Sequence, residues 1–338
     1  MTMPPKADGR DVLAIIPCLN EAAHLAGLLE NLLGECALPE MLIVVADGGS
    51  TDGSRDIVHD FSARYSRVRL LENAKRIQSA GVNLAAETYG AGRKWIVRLD
   101  GHSRYSADFV TRLIETAQRE RADSVVVPMH AQGVGCFQKA AATAQNSRIG
   151  TGGAAHRMRG QSGWVDHGHH ALFRLDTFLG LGGYNESFTH NEDAEFDVRL
   201  VRSGGMIWLE DSLVIEYYPR STAISLLKQY YRYGAGRAKT TMLHNNKLKL
   251  RQILPLCVAP AVVGSPLGWL LWPLAVPAAV WAAGCLLSGV VVGLSGGGGC
   301  GMLSGVPAMI MQLGWSFGFI RQLFRPRPSA AEFVTCAQ

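Results

Sequence analysis

Acid, amide and imidazole side chains are concentrated in a few turns of this chain. PCLNE (residues 17–21), DGGSTD (47–52) and DGH (100–102) each follow a short apolar run. One Asp-Gly is commonly no more than a turn, but three such clusters ending successive strands would face one crevice, where a polar ligand or a cation can be held. Further along come NED (191–193), QYYRYGAGR with Gln229, Arg232 and Arg237, and DHGHH with Asp166, His167, His169 and His170. By its chemistry alone that last cluster suits a zinc site or structural hydrogen bonding.

The elements that must carry these groups follow from hydrophobic period. VLAIIP (12–17) has the uninterrupted apolar run of a buried strand, and NEAAHLAGLLENLLGE that follows places Leu25, Leu28, Leu29 and Leu32 on one side of a helix. MLIVVAD (41–47) is a second strand, and TDGSRDIVHDFSARY a second helix with Ser50, Thr51 and Asp52 as candidate caps. VRLLEN, IQSAGVNLAAETYG and KWIVRLD (94–100) repeat the alternation, which predicts a mostly parallel sheet with helices on both faces. ALFR, after DHGHH, is a further strand. No Gly-x-Gly-x-x-Gly follows the first strand, which argues against a dinucleotide site.

Charge then divides the chain. Residues 252–320 hold no Asp, Glu, Lys, Arg or His, whereas the first 251 residues carry 30 of the 33 Lys+Arg and 27 of the 28 Asp+Glu. Neither net charge, +3 or +2, suggests nucleic-acid binding, which usually demands a concentrated basic face. The expected organisation is a cytoplasmic catalytic domain over 1–250, a membrane-associated region over 251–325 and a cytoplasmic tail over 326–338. In the apolar region, about 267–294 and 302–320 are each near the ~20 residues of a spanning helix, separated by SGGGGCG. LPLCVAPAVVGSP before them, with three prolines, suits the membrane interface, though a third span is possible by length. Lys247, Lys249 and Arg251 on one side and Arg321, Arg325 and Arg327 on the other put both ends in the cytoplasm, most simply around a two-helix hairpin. The N-terminus has no signal-peptide run, which agrees with a catalytic domain on the cytoplasmic side of the inner membrane. Seven scattered cysteines without a Cys-x-x-Cys pair read as core or lipid-facing fillers in a reducing compartment, not as a disulfide framework.

PCLNE, VVADGGSTDGS, RLDGH, NEDAEFD and QYYRYGAGR, in this order, resemble the family 2 inverting glycosyltransferases, whose fold is GT-A, a Rossmann-like sheet flanked by helices. VDHGHHALFR followed by GGYNESFTHNEDAE is similar, more narrowly, to the succinoglycan-biosynthesis (ExoA-type) glucosyltransferases. The resemblance spans roughly residues 12–241, with a hydrophobic tail of the expected kind. It implies that Pro17, Asn20 and Glu21 line a uridine pocket and that Asp47 accepts a hydrogen bond from the uracil ring. Arg76 would approach the nucleotide, and Arg232 the departing diphosphate. Asp100 and His102 stand where the family has an Asp-x-Asp signature, so they would hold Mg or Mn, with the imidazole favouring Mn. Asp193 would be the general base. Glu192, His167, His169 and His170 would border the acceptor.

The activity so implied is transfer of a hexose from a UDP-sugar, glucose first, onto a polyprenyl-diphosphate-linked saccharide through a β-1,3 link in exopolysaccharide biosynthesis. A membrane anchor suits an acceptor whose tail never leaves the bilayer. The rivals are a processive synthase of the same fold, for which two or three apolar segments are few and the expected Trp is missing from QYYRYG, and a non-catalytic membrane-bound adaptor that only binds the sugar nucleotide.

Overall fold

The structure is a computed structural model that describes residues 8–152, 160–248 and 250–325, so the expected tail over 326–338 lies outside the described residues. The described residues form two compact units, the first from 8–128 and 160–215 and the second from 129–152, 216–248 and 250–325.

In chain order, β1 (Val12–Cys18), α1 (Ala22–Leu33), β2 (Leu42–Asp47), α2 (Ser54–Arg64), β3 (Val68–Glu72), α3 (Gln78–Tyr89), β4 (Trp95–Arg98), α4 (Phe109–Glu120) and β5 (Ser124–Val127) open the first unit. The chain then enters the second unit with β6 (Met129–Ala131), α5 (Cys136–Gln145) and α6 (Arg148–Thr151). It returns for β7 (Gly163–Val165), β8 (His169–Arg174), α7 (Leu175–Gly180), α8 (Glu192–Arg202) and β9 (Ile207–Leu209). The second unit is completed by β10 (Ile215–Tyr217), α9 (Ala223–His244), α10 (Leu250–Leu256), α11 (Val258–Gly264), α12 (Val276–Val292), α13 (Gly298–Met302) and α14 (Gly305–Leu323).

The first unit is one eight-stranded sheet in the order β3-β2-β1-β4-β8-β5-β9-β7. β1 to β4 run parallel, β8 is antiparallel to both β4 and β5, and β7 is antiparallel to β9, so the sheet is mixed but mostly parallel. β1 shows why these strands read as continuous apolar runs: Val12, Ala14 and Ile16 face the α1–α4 side, while Leu13 and Ile15 face α3 and α8. Leu25, Leu28, Leu29 and Leu32 are all buried, as their spacing predicts, and each contributes about 1.5–3 kcal/mol through burial. Register does the positioning. Cys18 pairs with Asp47 and Ile15 with Arg98, so the loops carrying Asn20, Asp47 and Asp100 leave the sheet at one end.

The second unit is helical apart from the β6–β10 pair. α9 and α14 approach so closely that a Cβ on Gly234 would overlap the Trp315 carbonyl, and one on Gly318 the Tyr231 carbonyl. Gly289, Gly293 and Gly305 give α12, α13 and α14 the same intimacy. Small residues at helix crossings are the usual means of helix association in lipid, where burial from water gives no drive. Gln312 accepts from the Trp281 indole and donates to the Ile149 carbonyl, both at 2.8 Å, which satisfies the one amide in the middle of α14.

Among the described residues, two stretches are long and apolar enough to cross a membrane by length and composition, Gln252–Trp269 and Trp272–Met302. They differ from the 267–294 and 302–320 expected above. α14 carries Gln312 and Ser316, which bond to neighbouring helices, and it spends a glycine face on α9, whereas the proline-bearing stretch before α12 leaves Trp269 and Trp272 exposed.

The cysteine expectation needs a correction. Cys136 of α5 is joined to Cys300 of α13 by a disulfide, across a sequence separation of 164. Cys18, Cys36, Cys257 and Cys285 are free thiols.

Candidate active site

The loops after β1 and β2 are joined by reciprocal hydrogen bonds. The Asn20 amide donates to Ser50 Oγ at 2.8 Å, and the Thr51 amide donates back to Asn20 Oδ1 at 2.8 Å. Ser54 Oγ accepts from the Glu21 amide, and Asp52 from that of Ala22. Ser50 and Thr51 therefore lock two loops together; the N-cap position of α2 is Gly53, at φ 93°, while Asp52 Oδ1 accepts from the first helical amide, Ser54 N, at 3.0 Å. Asn20 itself sits in the left-handed region at φ 58°, where Asn is tolerated better than most side chains.

Asp47 is 1 % exposed, and its Oδ2 accepts from the Gly49 and Ser50 amides at 3.0 and 3.1 Å. Arg55 adds an ion pair at 3.7 Å. The Oδ1 atom has one long contact, Ser50 N at 3.3 Å. Arg76, also left-handed at φ 57°, lays its guanidinium against Gly49 and is exposed. Pro17 lies in β1 opposite Ala46, two positions before Leu19 and one before Cys18. Pro17, Asn20, Glu21, Asp47 and Arg76 thus gather at adjoining strand ends.

Asp100 is the centre of the next group. Its backbone amide donates to the Tyr105 hydroxyl at 2.7 Å, which pins the turn. Its Oδ1 accepts from Gln78 at 3.2 Å and pairs with Arg98 at 3.4 Å, and its Oδ2 meets His169 Nε2 at 3.4 Å. Burial alone would push the Asp100 carboxyl up, but Arg98, His169 and His102 together hold it well below the usual carboxylate range. His102 is exposed and sets Nδ1 3.0 Å from Glu21 Oε1, so the metal-motif loop and the PCLNE loop touch.

Arg98 continues the chain of contacts to α8. Its NH1 lies 3.4 Å from Glu192 Oε1 and 3.4 Å from the Tyr184 hydroxyl. Glu192 is buried, and that burial, offset by Arg98 and reinforced by the charge of Asp193, pushes its carboxyl up to about 6. Asp193, the next residue and half-buried, accepts from the Ala194 amide at 2.7 Å. Asn191 caps α8 with φ 62°. The other acids of the NEDAEFD run have different duties. Glu195 is fully buried against Arg199, which also clamps the Leu181 and Gly183 carbonyls. Asp197 is buried and receives His167 Nδ1 at 2.6 Å and the Gly168 amide at 3.3 Å.

DHGHH is accordingly split between partners: His167 goes to Asp197 and His169 to Asp100, while the His170 side chain lies outside what is described. Among the described residues no three His, Cys, Asp or Glu side chains are grouped to hold a metal ion. Asp100 with His102 remains a workable pair of donors. With Nδ1 turned to Glu21, the imidazole would bring Nε2 to a bound cation, the carboxylate–histidine arrangement found behind many metal sites, and Asp100 is held anionic as a ligand must be. Two protein donors are too few alone, so a diphosphate would have to supply others. Arg232 is exposed on α9 of the second unit, where Gln229 bonds the Tyr233 hydroxyl.

Sequence reasoning missed Arg98, Gln78, Tyr105 and Tyr184. Only Arg98 gave a signal: a charge inside the otherwise apolar run KWIVRL.

Comparison with known proteins accords with this geometry. The model for glycosyl transferase family 2 matches residues 13–180. The succinoglycan biosynthesis protein ExoA of Rhizobium meliloti (strain 1021) is 48% identical over 317 residues, covering 93% of this chain and 96% of the relative. A dolichyl N-acetyl-alpha-D-glucosaminyl phosphate 3-beta-D-2,3-diacetamido-2,3-dideoxy-beta-D-glucuronosyltransferase of Methanococcus voltae is 23% identical over 254 residues, 71% of this chain and 76% of the relative. Among solved structures, the mannosyltransferase PcManGT from Pyrobaculum calidifontis, in complex with GDP-Man and Mn2+, superposes with a TM-score of 0.60 at 16% identity, covering 93% of this chain and 87% of that one. This last likeness concerns the fold.

Proposed function

The chain belongs to glycosyl transferase family 2, and from that premise we propose that it is a membrane-anchored inverting hexosyltransferase. The donor is a UDP-sugar, glucose first, and the acceptor a polyprenyl-diphosphate-linked saccharide that gains a β-1,3-linked hexose in exopolysaccharide biosynthesis. The observation that carries this reading is a series of polar contacts at the strand ends, Asn20 with Ser50, Glu21 with His102, Asp100 with Arg98 and Arg98 with Glu192, which brings the separated acidic motifs near one another. The near-half identity to a protein named for succinoglycan biosynthesis supports the pathway class. The Methanococcus relative, named for 3-beta transfer to a dolichyl-linked sugar phosphate, supports a lipid-linked acceptor and the linkage.

In this mechanism Pro17, Asn20 and Glu21 form the uridine pocket, with Asp47 the acceptor for the uracil imide and Arg76 beside it. Asp193 takes the proton of the acceptor hydroxyl as that oxygen bonds to the anomeric carbon. The bond to the UDP oxygen breaks on the opposite face, so configuration inverts and the electron pair leaves with UDP. A Mg or Mn ion held by Asp100 and His102 would neutralise the diphosphate as charge collects there. Glu192, His167 and His169 border the acceptor saccharide, as does His170 by sequence. The assignment of Arg232 to the diphosphate rests on its motif. Residues 251–325 anchor the catalytic domain to the cytoplasmic face of the inner membrane, which raises the local concentration of a lipid acceptor. The test is mass spectrometry of lipid extracted after native membranes are incubated with a panel of UDP-sugars, with and without Mn. A lipid-linked saccharide heavier by one hexose is expected from UDP-glucose, and no mass shift with any donor would refute the reading.

A further inference from the structure

Arg98 is the last residue of β4, and its side chain is 6% exposed. A guanidinium so deeply placed has lost its water and must find acceptors among its neighbours. It finds three: Asp100 Oδ1 through NH2, and Glu192 Oε1 and the Tyr184 hydroxyl through NH1, each at 3.4 Å. The Tyr184 ring lies 5.8 Å from the guanidinium carbon, and Nε, also buried, has no partner. Asp100 stands on the turn after β4, while Glu192 opens α8, 94 residues further on. One planar cation therefore joins two segments that lie far apart in sequence. Asp193 follows Glu192 on the same helical turn, so whatever fixes Glu192 also fixes Asp193.

We propose that Arg98 is a positioning residue that sets the register between the two acidic motifs, holding Asp100 with one arm and the start of α8 with the other. The distance and direction from the diphosphate-binding carboxylate to the base are then set by a rigid fork. Arginine suits this because its two terminal nitrogens are held in one plane, whereas a lysine ammonium is a single point on a flexible stem. Without the fork, α8 and the Asp100 turn present carboxylates to one another with no cation between them, and the geometry of attack relaxes. Misplacement by about 1 Å can cost about 100-fold in rate, so the effect belongs in turnover and not in nucleotide affinity, which the Asn20–Ser50 loops supply.

This inference rests on the glycosyl-transfer reading, and the experiment separates the two. Wild-type protein and Arg98→Lys, in native membranes, are compared for kcat of hexose transfer and for UDP affinity by direct titration. Bare charge neutralisation of the core would be met equally by lysine. The fork predicts that Arg98→Lys folds, keeps its UDP Kd within about threefold and loses about 30- to 100-fold in kcat. A kcat within about threefold of wild type would overturn the proposal. If Arg98→Lys fails to fold, Arg98→Gln combined with Glu192→Gln removes both charges together and is compared with Glu192→Gln alone. A further loss in kcat at constant UDP Kd supports the fork, and equal kcat refutes it. Wild-type protein that neither binds UDP nor transfers a hexose would dispose of the glycosyl-transfer reading itself, and of this role with it.

Discussion

Glu192 and Asp193 share the first turn of α8 but meet different surroundings. Glu192 is buried beside Arg98, while Asp193 stands half-buried with its carboxylate at the helix N-terminus. Replacing Asp193 by Asn keeps shape and removes the base, so UDP binding should stay nearly intact while transfer falls at least about a hundredfold, measured as kcat against UDP Kd. Equal loss of both would show that another group takes the proton. Glu192 makes a different prediction, about pH. Its folded pKa, about 6, exceeds the ordinary 4.5, so the fold favours the protonated form. The stability it contributes is complete below about pH 4.5 and is lost as pH rises through about 6. The thermal melting of Glu192→Gln, compared with wild type across that window, should lack this component. A difference that stays constant from pH 4.5 to 7 would show that the carboxyl is not perturbed.

At the scale of elements, the two units use opposite devices. In the first, loops are stitched by side chain to backbone bonds, as between Asn20 and Ser50, and the apolar sheet beneath supplies rigidity. In the second, backbone meets backbone across glycines. Gly318→Leu should therefore be severe: its Cβ would enter the Tyr231 carbonyl, and neither helix can yield without losing the other contacts. Overpacking of about 3 kcal/mol or more is expected, seen as a large drop in melting temperature in detergent, while Gly284→Leu, at a position with open space around it, should be nearly silent. Comparable melting of the two variants would mean that α9 and α14 do not cross as described. Strand ends were legible in the sequence because short apolar runs and polar turns obey a local period, and α1 matched its leucine spacing residue for residue. The Arg98 fork was not, because Glu192 is remote in sequence and a lone arginine carries no sign of its partner. The Cys136–Cys300 bond escaped for the same reason, and the α14 crossing because glycines read as breakers before a neighbouring backbone is known.

At the scale of the whole molecule, the exposed apolar side chains of the second unit, among them Trp269, Trp272, Leu287 and Leu294, require cover. If lipid provides it, the protein should stay in the membrane pellet through high salt and alkaline carbonate and leave it only with detergent; release by carbonate would mean a peripheral association. The disulfide offers a second measurement. Under non-reducing denaturing electrophoresis the protein should run faster than its reduced form, because 164 residues of separation are closed into a loop, and Cys300→Ser should abolish the difference. Identical migration of wild type with and without reductant would mean that the two thiols are not joined.

The order in which the chain visits its two units also has a consequence for synthesis. α5 and α6 leave the ribosome well before the helices that cover them, α13 and α14, are translated. For much of its birth the protein therefore carries a half-built unit whose partners do not yet exist. Premature termination near the carboxyl terminus should consequently strand a segment from the middle of the chain, and a nascent polypeptide of this design has reason to be escorted until its final turn is in place.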